Sequence, residues 1–156
     1  MAPGTGKGMT DKRAKRQDAF AAMMAARGRN PSETPRILVA EDDPDMRELL
    51  TASLRDDGFN VEEASDGGRL LVRVASTYAA PDTSIDLIIS DIRMPICDGL
   101  QILRNLRRAN WKIPVILMTA FSDPTTEAEA TKLGAVLIDK PFDLDAFRTT
   151  VISLLA

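Results

Sequence analysis

Beyond residue 35 the chain alternates short apolar runs with stretches of helical period, five times over, and few folds tolerate that pattern. Ile37–Ala40, Ile85–Ser90, Ile113–Met118 and Ala135–Ile138 are strand candidates, and Asn60–Ala64 is a weaker, edge-like one. Between and after them apolar residues recur at helical spacing: Met46, Leu49, Leu50 and Leu54; Leu70, Leu71, Val74, Ala75 and Tyr78; Leu100, Leu103 and Leu106; Leu144, Phe147, Val151 and Leu154. A short Ala-rich helix is expected over 125–133. Continuously apolar strands separated by helices imply a parallel sheet covered on both faces. Right-handed crossovers make that an α/β, doubly wound sandwich of five strands and five helices.

Composition removes whole classes of chemistry. The chain has no histidine and one cysteine, Cys97. Imidazole acid–base catalysis, a histidine triad, a zinc site and an internal disulfide are therefore excluded. Chemistry must run on carboxylates, hydroxyls, Lys and Arg. The net charge of −3 is unevenly spread. Residues 1–36 carry eight basic and three acidic side chains, and the remainder twelve and twenty. An acidic main domain argues against direct nucleic-acid binding. No run approaches the ~18 apolar residues of a membrane span, so a cytoplasmic protein without membrane insertion is expected.

Residues 1–35 read as a basic, flexible N-terminal extension with a helix at 10–27, set apart from a domain over 36–156. The stretch Pro3-Gly-Thr-Gly-Lys-Gly8 lacks the spacing and the Ser or Thr of a phosphate loop. Gly28 and the segment 30–35, with its two prolines, form a linker. This extension is either a solvated tail or a basic docking helix.

In open parallel sheets ligands bind outside the carboxyl ends of the strands. Glu41, Asp42 and Asp43 follow the first strand and Asp91 the third; Thr119 follows the fourth, and Asp139 and Lys140 the fifth. Carboxylates this close repel unless water or a cation lies between them. Oxygen ligands without His or Cys suit a hard cation, Mg²⁺ or Mn²⁺. Each residue also has a plainer role. Asp43, before Pro44, has the look of a helix cap, as does Asp98 before Gly99; Lys140 could be a surface lysine and Cys97 an inert loop thiol. Their convergence on one sheet edge is what favours a site.

The segments ILVAEDDPDMRELL, LIISDIRMPICDGLQIL, VILMTAF and IDKPF, in this order and spacing, resemble the receiver domain of two-component response regulators. The resemblance covers 36–156 and implies the flavodoxin-like strand order 2-1-3-4-5. It also implies roles. Asp91 is the phosphoacceptor, Glu41 and Asp42 are the acidic pair, and the Arg93 backbone carbonyl joins Asp42 and Asp91 as a metal ligand. Thr119 is the switch hydroxyl and Lys140 the phosphoryl-binding lysine. The implied partners are a sensor histidine kinase or histidine phosphotransfer protein and a downstream target protein, and a homodimer is compatible. The output face would be the fourth helix, fifth strand and fifth helix, at 125–133, 135–138 and 143–155.

Two positions depart from the family pattern. Glu41 stands where aspartate is commonest, and Leu137 where an aromatic ring often rotates inward. Arg93 and Phe121, two residues after Asp91 and Thr119, flank the site and could tune water access. Because the sequence runs no further than the fifth helix, a stand-alone phosphorylation switch is expected. The competing readings are a constitutive, non-phosphorylated interaction module and a haloacid-dehalogenase-type phosphatase. The latter needs a second Asp where Arg93 stands.

Overall fold

The structure, a computed structural model, describes residues 6–26, 34–80 and 84–156. Among the described residues six helices and five strands follow one another as α1 (Gly6–Ala26), β1 (Arg36–Ala40), α2 (Pro44–Asp56), β2 (Asn60–Ala64), α3 (Gly67–Ala79), β3 (Leu87–Asp91), α4 (Gly99–Arg108), β4 (Val115–Thr119), α5 (Pro124–Lys132), β5 (Val136–Asp139) and α6 (Leu144–Leu155). The strands form one parallel sheet in the order β2-β1-β3-β4-β5. The doubly wound α/β expectation holds, with α1 as a sixth helix.

The pleat explains why the central strands are apolar throughout. Successive side chains point to opposite faces, and here both faces are covered. Ile37, Val39, Leu87, Ile89, Ile116 and Met118 pack with Leu50, Leu54, Phe147 and Val151 of α2 and α6. Leu38, Ala40, Ile88, Val115 and Leu117 pack with Leu70, Val74, Leu103 and Ala130 of α3, α4 and α5. Fully burying such a Leu or Ile contributes about 1.5–3 kcal/mol. The inward stripes of the helices are narrower than their periodicity suggested: Leu49 and Leu71 remain 47% and 42% exposed. On α2 the buried row is Leu50, Thr51 and Leu54, which leaves Leu49 on the flank. The Tyr78 side chain, residue 27 at the end of the helix expected over 10–27, and the linker up to residue 33 lie outside the described residues.

Each of the five helices α2–α6 begins at an aspartate. Asp43, Asp66, Asp98, Asp123 and Asp143 each accept a backbone N–H from the first turn. A capping carboxylate satisfies a donor that the helix itself leaves unpaired and complements the helix dipole. α2 and α5 add Pro44 and Pro124 in the first turn, where a missing N–H costs nothing. At the other end of α2, Gly58 turns the chain into β2 with φ +105°, a conformation that side chains disfavour.

The N-terminal helix rests against the domain. Met23 is buried, and Phe20 meets Phe59 edge-on with ring centroids 5.1 Å apart. Arg16 reaches both Asp145 (2.8 Å) and Asp57 (3.4 Å). No helix among the described residues is long and apolar enough to cross a membrane.

Candidate phosphoacceptor and metal site

The ends of β1, β3, β4 and β5 bring four distant segments to one edge. Backbone hydrogen bonds fix each of them. Glu41 N–H donates to Ala64 O (3.1 Å), and the Glu41 carbonyl accepts from Arg47 Nη1 (2.8 Å). Ser90 Oγ donates to Asp91 O at 2.8 Å. Lys140 N–H donates to Thr119 O at 2.8 Å, continuing the β4–β5 ladder into the loop. Gly99, the first residue of α4, lies so close behind Asp91 that a Cβ there would stand 2.5 Å from the Asp91 carbonyl oxygen. Only glycine lets α4 start against the site strand.

Carboxylate oxygens of Glu41, Asp42 and Asp91 lie within 4.8 Å of one another. Lys140 Nζ donates to Glu41 Oε2 at 2.9 Å and to Asp91 Oδ2 at 3.1 Å. Glu41 is 1% exposed, Asp91 is nearly buried, and Asp42 opens to solvent. Burial holds the Glu41 carboxyl above its ordinary range; the Asp91 charge adds to this, while the Lys140 and Asp43 hydrogen bonds oppose it. Burial disfavours the Lys140 charge, but hydrogen bonds to Glu41 and Asp91, with their charges, outweigh it and raise the ammonium above the usual lysine value. Three carboxylates thus crowd together, and the Lys140 ammonium pairs with two of them, Glu41 and Asp91. That arrangement fits a divalent cation, which would relieve the repulsion and the poor solvation of Glu41.

Thr119 ends β4 and is buried. Its Oγ1 accepts from Phe121 N–H at 3.1 Å, which leaves its own O–H able to donate. Arg93 lies in the β3–α4 loop, with its guanidinium 5.3 Å from the centroid of the Phe121 ring. Phe121 is 70% exposed, so this pair stands at the rim. Leu137, in β5, is half-buried against the α3–α5 face. Asp43 is the α2 cap and Asp98 the α4 cap. Cys97 is half-buried, its carbonyl packed against Gly67.

Sequence reasoning missed Arg47 and Gly99. Arg47 follows Glu41 by six residues, on the first turn of α2, and a cation there facing back to the strand end was the available signal. The role of Gly99 depends on how closely α4 approaches β3, which spacing does not reveal.

A parallel 2-1-3-4-5 sheet with an acidic pair, a strand-end aspartate and a bridging lysine at one edge defines the class. The sequence model of the response regulator receiver domain matches residues 37–152, and the chain belongs to that family, the signalling receivers of two-component systems. It is 36% identical over 117 residues to the regulatory protein AtoC of Escherichia coli K12, covering 74% of this chain and 24% of that protein. The chain thus spans about a quarter of the length of relatives of this kind. The receiver domain of a Francisella response regulator superposes with a TM-score of 0.70 at 28% identity, covering 78% of this chain and 97% of that one. The response regulator TrrA of Thermotoga maritima, solved in complex with Mg²⁺ and BeF, gives a TM-score of 0.66 at 30% identity over 78% of this chain and 99% of that one.

Proposed function

We propose that this receiver is a phosphorylation-dependent signalling switch whose phosphoacceptor is Asp91. The observation that carries the reading is the shared ammonium: Lys140 Nζ bridges Asp91 and Glu41 while three carboxylates crowd within 4.8 Å. An acidic pocket of this kind is generally where receiver domains bind Mg²⁺. Glu41, Asp42, Asp91 and the Arg93 carbonyl would hold it, Glu41 acting mostly through bound water. A bound Mg²⁺ supplies charge neutralisation between the attacking carboxylate and the phosphoryl group.

An Asp91 carboxylate oxygen attacks phosphorus in line and forms the new P–O bond. The P–N bond of a phosphohistidine donor breaks, and its electron pair returns to the imidazole. The donor is a sensor histidine kinase or a histidine phosphotransfer protein. Lys140 then exchanges Glu41 for a phosphoryl oxygen, and the Thr119 O–H donates to another. These fixed charges and donors are preorganised where negative charge develops. The chain's own part is to position and neutralise groups for self-phosphorylation and self-dephosphorylation, not to turn over a separate substrate. The same movements reshape the face formed by α5, β5 and α6, which binds the downstream target.

The test is intact mass after incubation with Mg²⁺ and acetyl phosphate. The wild type should gain one phosphoryl group, about 80 Da, and Asp91→Asn none. A wild type that gains nothing and does not respond to Mg²⁺ with beryllofluoride would leave a constitutive interaction module as the better reading.

A further inference from the structure

The acidic pocket uses only one end of the helices that surround it. The outer face of α2 and α6 is itself a docking surface, and α1 fills it. That surface has an acidic rim of Asp56, Asp57 and Asp145 around an apolar floor that includes Phe59 and Ile152. The facing side of α1 is its complement. Lys12 and Arg16 pair with Asp145 at 3.2 and 2.8 Å, Arg13 with Asp56 at 3.4 Å, and Phe20, Met23 and Met24 enter the core cluster. Residues 12, 13, 16, 20, 23 and 24 fall on one helical face.

This face is wired to the site. Asp145 lies five residues after Lys140, in the first turn of α6. Phe142 and Leu144, on the stretch between them, belong to the same apolar cluster as Met46, Phe20 and Met24. Lys140 in turn is held by Glu41 and Asp91. A group that takes Lys140 away from Glu41 would pull on the loop that carries Phe142 and leads to Asp145. The anchors of α1 fit the position these have while Lys140 holds the carboxylates. A shift of that loop would oppose docking of α1 to loading of Asp91, and linkage would make the opposition reciprocal.

We propose that α1 is a displaceable ligand of the α2–α6 face, docked while Lys140 holds Glu41 and Asp91 and released when Asp91 is loaded. Release uncovers two matched surfaces at once, the basic, apolar-striped side of α1 and the acidic groove. This rests on the reading of Asp91 as phosphoacceptor.

Hydrogen exchange of the full chain, with and without Mg²⁺ and beryllofluoride, tests it. Amides over 16–26 should exchange about tenfold faster in the loaded state, within the usual range of coupling between sites, while those of β3 stay protected. Arg16→Glu should reach fast exchange without loading, and should bind beryllofluoride more tightly by a similar factor. Fluorine NMR reports loading separately. Bound beryllofluoride with unchanged or slower exchange in α1 overturns the coupling and leaves Asp91 as acceptor. No bound fluoride removes the acceptor reading and this inference with it. Unchanged α1 exchange in Arg16→Glu overturns the docking itself.

Discussion

Among the described residues, Glu41 and Asp91 pair with one ammonium, that of Lys140, with Asp42 beside them, whereas Asp56, Asp57 and Asp145 share Lys12, Arg13, Arg16 and Arg148. Each cluster has three carboxylates, and the two are built for opposite ends. The second is neutralised in place and ties α1, α2 and α6 together. The first is left short of positive charge where the sheet opens to solvent. A fold that can supply four cations to one aspartate cluster and one to the other has placed its charge deficit where a cation and a phosphoryl group can use it.

Breaking the neutralised cluster should have the largest effect. Arg148 Nε and Nη2 hold both oxygens of the buried Asp57 at 2.8 Å. Arg148→Ala leaves that carboxylate with Arg16 alone, and removing one partner of a buried pair costs about 3–5 kcal/mol. Because Arg16 remains, a loss near 3 kcal/mol is expected, read as a lower urea midpoint. A loss under 1 kcal/mol would mean the cluster is decoration. The acidic pocket should respond with the opposite sign. Mg²⁺ at one hundred times its Kd should stabilise the chain by about 2.7 kcal/mol, and Asp42→Asn should remove most of that gain. In metal-free buffer the same substitution should stabilise the chain by about 1 kcal/mol, the size of one like-charge contact near water. Thermal unfolding of both proteins, with and without Mg²⁺, gives all three numbers.

The two clusters were also unequally legible. The pocket residues announce themselves because each follows an apolar strand, and the parallel-sheet rule puts strand ends on one edge. Asn60–Ala64 is a strand with the bounds expected of it, at the sheet edge. The caps at Asp43 and Asp98 were readable for the same local reason. The docking of α1 was not. Its apolar stripe, Phe20, Met23 and Met24, is short and Ala-diluted, and its charged anchors resemble a solvated tail until Asp57 and Asp145 are seen opposite them. The stripe of α2 misled in a smaller way: spacing alone placed Leu49 inside, and only the approach of the neighbouring elements decides which flank stays wet. Arg47 belongs with these cases: a cation on the first turn of α2 is visible in the sequence, but its target, the Glu41 backbone carbonyl, is not.

The smallest effects lie in pH, and they separate the clusters by sign. Burial raises the folded-state value of Glu41 above its ordinary 4.5. A raised carboxyl contributes stability that is present below its unfolded value and lost as pH rises through the folded one. Asp145 is the reverse: the hydrogen bond from Lys12, then the Lys12, Arg16 and Arg148 charges, hold it below its ordinary 3.8. Its contribution is present above that value and lost as pH falls through the depressed one. In metal-free buffer, the stability advantage of wild type over Glu41→Gln should therefore shrink as pH rises above 4.5, whereas its advantage over Asp145→Asn should shrink only as pH drops below 3.8. Urea midpoints of the three proteins across the acid range measure both. Parallel curves for the two variants would mean that the clusters feel protons alike, and that burial and charge deficit do not distinguish the pocket from the neutralised cluster.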